Sequence, residues 1–202
     1  MRNIILLFSL TIFASSCAST YLAPNGKETA LRHKKLAVIM PKVTIEARKK
    51  VEAKAILESQ ISSATEFQQE LYKWVLKRKD KGQFVVDFQD VSQTNALLRD
   101  IEGVNLLSTD ELCKLLNVDG IIISNFGLSK PMSPAAAIAS TLLIGFGVTN
   151  EVAVSISIKD CTSNSLLWKY DHKYQGGLFS SPAQLVNGLM RDASKKMPYF
   201  KK

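Results

Sequence analysis

The spacing of apolar and polar positions changes several times along the chain, and each change marks an element. An apolar run from Ile4 to Phe13 follows one early cation, Arg2. Leu36-Ala37-Val38-Ile39-Met40, closed by Pro41, is a short continuous apolar run, the pattern of a strand buried on both faces. From Glu46 to Lys79 the period becomes helical. Leu57, Ile61, Ala64, Leu71 and Val75 recur at spacings of four, three, seven and four and share one face, flanked by Phe67 and Trp74. Gly82 supplies the stop, behind the basic run Lys77-Arg78-Lys79 that complements the negative helix end. Phe84 to Phe88 reads as a second strand, Thr94 to Arg99 as a short helix, and Ile101 to Leu107 as a connection.

Ser108 and Glu111 form a capping box that opens the next helix, with Leu112, Leu115 and Leu116 as its apolar face and Asn117 at its end. Val118-Asp119-Gly120 turns into a third buried strand, Ile121 to Ser124. Glu151 to Ile158 alternates strictly, with Val152, Val154, Ile156 and Ile158 on one face and Ala153, Ser155 and Ser157 on the other. After a polar turn, Ser165 to Gln175 returns as the partner strand of an antiparallel hairpin. Ser181-Pro182 starts a last helix carrying Leu185, Leu189, Met190 and Ala193, and Pro198 ends it. The order β-α-β-α-α-β-β-β-α predicts an α/β fold. It is a single three-layer-like domain with a mixed sheet: a parallel β-α-β part, an antiparallel hairpin, and helices on the faces.

Three stretches lie outside this pattern. The apolar core at the start is too short for a membrane span, which needs roughly 20 apolar residues. With Ala14-Ser15-Ser16-Cys17 behind it, it fits a cleavable signal, residues 1–16, ending at a lipoprotein-type site. Acylation of Cys17 would anchor the mature chain, since two or more acyl chains hold where one does not. Residues 17–32, polar and carrying Pro24-Asn25-Gly26, read as a flexible tether, and residues 33–202 as the domain. Within the domain, no residue between Lys130 and Glu151 is charged. This insertion, 131–150, is a helix packed on the domain, a membrane-touching loop, or a mobile or oligomer-contact loop. Its apolar contacts to a membrane or partner would be Ile138, Leu142, Leu143, Ile144 and Phe146. It does not alternate, so it is a poor lumen-lining hairpin.

Composition adds limits. Of the 202 residues, 46% are hydrophobic and 22% charged, globular values for one domain. The formal net charge of +8 would raise nucleic acid as a partner in a cytosolic protein. Export removes that reading and leaves anionic head groups or acidic protein patches. Cys113 and Cys161 could pair in an oxidising compartment, while the helical apolar setting of Cys113 also suits a buried free thiol. His33 and His172 have no metal-ligand spacing, and each reads as solvated or structural, so no metal and no cofactor is expected. Asp87, Asp90 and Asp119 stand near strand ends, where paired carboxylates could work as acid and base, although Asp119 before Gly120 suits a turn. Trp74 and Trp168, with Tyr72 and Tyr170, could stack on sugars, but core packing is the simpler reading.

The segment Val118-Asp119-Gly120-Ile121-Ile122-Ile123, a variable insert, then Val152 to Asp160 and Leu166-Leu167-Trp168 resembles the shared core of the curli-assembly lipoprotein family. It is also similar to the lipoprotein activators of penicillin-binding proteins and to the amino-terminal domain of the TolB translocation protein. The resemblance implies an envelope assembly or interaction module without catalysis. In the curli family the insert at this place forms part of a membrane barrel. The expectation is therefore a non-enzymatic, lipid-anchored protein of the cell envelope, at the outer membrane facing the periplasm. Its partners would be the membrane, through Cys17, and an envelope protein, with no nucleic acid. A homo-oligomeric export component and a carboxylate-dependent envelope-polymer hydrolase stand as alternatives.

Overall fold

Leu36, Ala37 and Val38 are fully buried, as a run with no polar alternation requires, and they lie on an inner strand of a seven-stranded sheet. The computed structural model describes residues 18–46, 53–129, 150–176 and 181–200. Its strands are β1 (Ser19–Leu22), β2 (Lys35–Val38), β3 (Lys42–Ile45), β4 (Asp87–Phe88), β5 (Gly120–Ser129), β6 (Asn150–Asp160) and β7 (Leu166–Gly176). The order across the sheet is β1-β7-β6-β5-β2-β4, and β3 also pairs with β5. The sheet is mixed, as expected: β2 and β3 run parallel to β5, β4 runs parallel to β2, and β5-β6-β7-β1 is antiparallel throughout.

Both β2 and β3 lie on the same edge of β5. Val38 pairs with Ile122 and Lys42 with Asn125, four residues against three. The extra residue falls beside Pro41, which has no N–H to give the ladder. Helices α1 (Gly26–Arg32), α2 (Ala53–Asp80), α3 (Val91–Leu98), α4 (Thr109–Leu116) and α5 (Pro182–Lys196) cover the sheet. A large core joins α2 and α5 to one face through Phe67, Leu71, Val75, Leu189, Phe126 and the inward side of β6. A smaller core on the other face holds Ala37 and Ile121 against Leu98, Leu112, Cys113 and Leu116.

Local chemistry sets the ends of these elements. Ser108 and Glu111 close the expected capping box on α4, and Ser181 with Gln184 closes another on α5, with Pro182 in its first turn. Gly82, at φ 66°, takes the left-handed turn that ends α2. Its N–H reaches Lys79 O and that of Gln83 reaches Arg78 O, a Schellman pair of bonds. Arg78 itself is buried: its guanidinium donates to Ser194 Oγ at 3.2 Å and to Arg191 O at 3.3 Å, tying α2 to α5. The basic run thus does more than complement a helix end.

Several expectations need correction. The stretch expected as a tether forms β1 and α1: Ser19 pairs with Asp171 and Leu22 with Trp168 at the sheet edge. All four residues of β1 are exposed, so there was no alternation to read. Strand β3 was missed because Pro41 marked an end rather than an interruption. Asp90 caps α3 through Ser92 N, which starts that helix at Val91 instead of Thr94. On α4, Leu112 and Leu116 are buried as expected, but Leu115 is exposed and Cys113 takes the third inward place. Leu167 lies opposite a register shift between Ile158 and Lys159, so it is buried against the parity of its strand. On α2 the stripe divides: Ala64, Leu71 and Val75 are buried, while Leu57 is 56% and Ile61 55% exposed.

That division predicts unequal costs along one helix. Leu71→Ala should lower stability by about 2–5 kcal/mol, as core truncations do, and Leu57→Ala should change it by less than about 0.5 kcal/mol. Chemical denaturation of the two variants side by side measures both.

Candidate functional site

The residues picked out from the sequence, Cys17 and Ile138, Leu142, Leu143, Ile144 and Phe146, lie outside the described residues. Their flanks are described. Ala18 packs against the main core, and β1 begins at Ser19. The insertion leaves from Ser129, which pairs with Glu151, and returns at Asn150, which pairs with Gly176, so both its ends sit on adjoining strands at one end of the sheet.

The opposite end holds a buried polar cluster that sequence patterning did not single out. The residue following α1, His33, is enclosed by residues far apart in sequence: its Nε2 lies 2.7 Å from Asp160 Oδ1 and its Nδ1 2.7 Å from the Tyr199 hydroxyl. Asp160, the last residue of β6, also accepts the Ser163 N–H and hydroxyl on Oδ2, each at 2.6 Å. Gly120 makes room for this cluster: a Cβ there would meet His33 Cε1 at 3.0 Å and Leu36 Cδ2 at 2.9 Å. The Asp119 carboxylate accepts the backbone N–H groups of Lys34 and Lys35 at 2.7 and 2.8 Å, which sets the start of β2 against the start of β5. A cysteine pair completes the cluster. Cys113 of α4 and Cys161 of the β6–β7 turn form a disulfide with Cα atoms 5.7 Å apart, and Cys161 N–H donates to Asp119 O. The buried-free-thiol reading of Cys113 is thereby overturned.

The charge states follow from this packing. Burial alone would raise the Asp160 carboxyl, but the Ser163 hydroxyl, the His33 ring and the Ser163 N–H outweigh it and hold the group below the ordinary carboxylate range. Burial, followed by the Asp160 and Asp119 carboxylates, pushes the Tyr199 phenol far up, so it keeps its proton. A His33 ring carrying its proton on Nε2 then donates to Asp160 and accepts the Tyr199 hydroxyl on Nδ1, which satisfies all three groups. A serine nucleophile would need its hydroxyl on the histidine. Here Ser163 Oγ bonds Asp160 and Ser165 Oγ instead. The adjoining pocket of about 190 Å³, lined by Thr29, Arg32, His33, Asp119, Asp160, Thr162 and Ser163, therefore borders a structural lock.

The carboxylates considered as acid and base are each committed elsewhere. Asp87 is exposed and paired with Lys79. Asp90 caps α3, and the Ser92 hydroxyl followed by the Ser92 N–H holds its carboxyl below the usual range. Asp119 bridges the two strand starts as described. Trp74 and Trp168 are buried and contribute to the core, so neither offers a face for stacking. His172 is half-buried, with Nδ1 2.6 Å from the Tyr170 hydroxyl. A shallow groove of about 530 Å³ crosses the sheet face left bare by α3 and α4, between Thr44, Asn125, Gly127, Ser155 and Asp171. Among the described residues no group of three or more His, Cys, Asp or Glu is placed to hold a metal ion, and no helix is long and apolar enough to cross a membrane.

No known protein family and no curated protein matches the sequence. Solved structures match its fold. PelC from Paraburkholderia phytofirmans, solved as a dodecamer, superposes with a TM-score of 0.52 at 9% identity, covering 92% of this chain and 99% of that one. A variant of the same protein, also a dodecamer, gives 0.53 at 10% identity with the same coverage. The lipoprotein GNA1162 from Neisseria meningitidis gives 0.43 at 12% identity over 81% of this chain and 96% of that one. At these identities the likeness to PelC shows a shared fold.

Two outcomes test the polar end. Asp160 has a lowered pKa in the fold, so its stabilisation is complete above the unfolded carboxylate value of about 3.9 and is lost as pH falls through the lower folded value. Asp160→Asn should cost on the order of 3 kcal/mol near neutrality, because buried donors lose a charged acceptor. It should also flatten the fall in stability below about pH 4, read from urea midpoints across an acid series. Reduction of Cys113–Cys161, which are 48 residues apart, should lower stability by about 4 kcal/mol. In a domain of this size that shifts Tm by roughly 10 °C, measured with and without reductant.

Proposed function

We propose that this chain is a lipid-anchored protein of the bacterial cell envelope, at the outer membrane facing the periplasm, and that it acts by binding rather than by catalysis. One observation carries the reading. Cys17, where the apolar leader ends, stands immediately before Ala18, whose side chain already packs on the core, and two residues before β1. Acyl chains on Cys17 would hold the folded domain against the bilayer without a spacer. The disulfide suits an oxidising compartment. The commitment of Asp87, Asp90, Asp119 and Asp160 to caps, ladders and ion pairs supports a binding role over a hydrolytic one.

The shared fold of the dodecameric PelC favours a further step: copies of this chain assemble side by side in the membrane plane to support an envelope or secretion complex. The uncharged insertion, with Ile138, Leu142, Leu143, Ile144 and Phe146, would then face the membrane or the partner. No cofactor, metal or nucleic acid takes part in this reading.

Cys17→Ser tests the anchor. The substituted protein should leave the membrane fraction and appear soluble in the periplasm, whereas retention at the membrane would sink the reading. Light scattering of the detergent-extracted wild type tests assembly, where a multiple of the mature chain's mass, the 22.3 kDa of the full sequence less its signal, is expected and a monomer refutes the side-by-side step.

A further inference from the structure

We infer that the end of the domain where β3 and β5 finish and β6 begins rests on a lipid surface, with Leu57 and Ile61 of α2 as apolar contacts. The inference builds on the lipid-anchored reading and names the surface that the anchor brings to the bilayer.

The geometry starts from the direction of α2. Phe67 packs on Phe126 of β5 with ring centroids 4.8 Å apart, and Gln68 Nε2 donates to Val38 O at 2.8 Å. Further along, Lys79 pairs with Asp87, whose register partner is Lys35 at the start of β2. The helix therefore runs antiparallel to β5, and its amino-terminal turns point toward Ser129. From Phe67 back to Leu57 the helix spans about 15 Å at 1.5 Å per residue. From Phe126 to Ser129 the strand spans about 10 Å. Ile61 thus stands near the level of the last residue of β5, and Leu57 about one turn beyond it. The apolar stripe that is buried over the sheet at Ala64, Leu71 and Val75 continues past the sheet as bare Leu57 and Ile61.

The remaining chain says what covers that stripe. Because β1 is antiparallel to β7, with Ser19 opposite Asp171, the chain before Ser19 leads toward this same end. That chain carries the acylation candidate Cys17. The uncharged stretch between Lys130 and Glu151 leaves and re-enters here as well. Helix α5 runs alongside α2 in the same sense, with Asn187 bonded to Glu70 and Ser194 to Arg78, so α5 also starts at this end. From Ala53 to Ser63 the only charges are Lys54 and Glu58. An anchor, an uncharged insertion and a bare apolar stripe at one end fit hydrocarbon and head groups better than an acidic protein surface.

The test uses the full-length acylated protein in vesicles of phosphatidylethanolamine and phosphatidylglycerol. Single cysteines are placed by Leu57→Cys, Ile61→Cys or Lys81→Cys and labelled with the polarity-sensitive dye NBD, while Cys113 and Cys161 stay bonded. All three positions are exposed, so the core is untouched. The dye at 57 and 61 should shift to the blue and be quenched by nitroxide-bearing lipids. At 81, just past the far end of α2 and about 36 Å from Leu57 at the helical rise, it should stay in water. Water-like emission at 57 and 61 in vesicle-bound protein overturns the inference. A blue shift without lipid quenching assigns the stripe to a protein neighbour and also overturns it. Flotation is read separately: protein that does not float with the vesicles refutes the anchored reading on which the inference stands.

Discussion

Strand β5 is the constraint on which the structure depends. It pairs with β2 and β3 on one edge and with β6 on the other, so the parallel and antiparallel halves of the sheet meet along it. Its first half is buried on both faces, with Ile122 in the larger core and Ile121 in the smaller. Its second half is covered on one face only: Phe126 is buried while Asn125 is exposed. A strand of this kind cannot slip by one residue without bringing Asn125 or Gly127 into the place of buried Phe126. Fixing β5 therefore fixes the register of three neighbours, and it divides the domain into a covered end and an open one.

The two ends are built from different physics. At the start of β5, buried polar groups are satisfied by partners from α1, β2, the β6–β7 turn and the segment after α5. Such a network is costly to leave half-made, so it holds the end rigid. The disulfide adds a covalent tie between α4 and the turn at the same place. At the finish of β5, Glu151 holds Lys173 and Gln175 at the surface, and the apolar packing stops short of covering α2. Rigidity at one end and bare apolar surface at the other make the two ends of the domain physically distinct.

Much of this was legible in the sequence, where one physical rule dominated. Alternation in Glu151–Ile158 placed Val152, Val154, Ile156 and Ile158 inward, and all four are buried. The capping box at Ser108 and Glu111 formed as spaced. The mixed sheet followed from element order. Illegible features were those in which a residue's partner is distant in sequence. His33, in a cationic run, reads from sequence as either solvated or structural; Asp160 and Tyr199, which decide for a structural role, lie 127 and 166 residues away. Strand β1 has no inward face and owes its existence to the open edge of β7. Cys113 and Cys161 carried no spacing signal, because only the turn after β6 brings them together.

The stripe on α2 shows how such a limit can be turned into information. Periodicity assigned Leu57, Ile61, Ala64, Leu71 and Val75 to one face correctly, but a period has no knowledge of where the neighbouring surface ends. Length does. The helix has 28 residues, about 42 Å at its rise per residue. Strand β5 has 10 residues, about 33 Å. A helix antiparallel to a shorter strand and docked at Phe126 must overrun it, and its apolar stripe must then emerge on the side where the strand stops. Leu57 and Ile61 are therefore the arithmetic remainder of a long helix on a short sheet. Their apolar character past that boundary, where lysine or glutamate would suit water better, is the part that packing within the domain does not explain and a covering surface does.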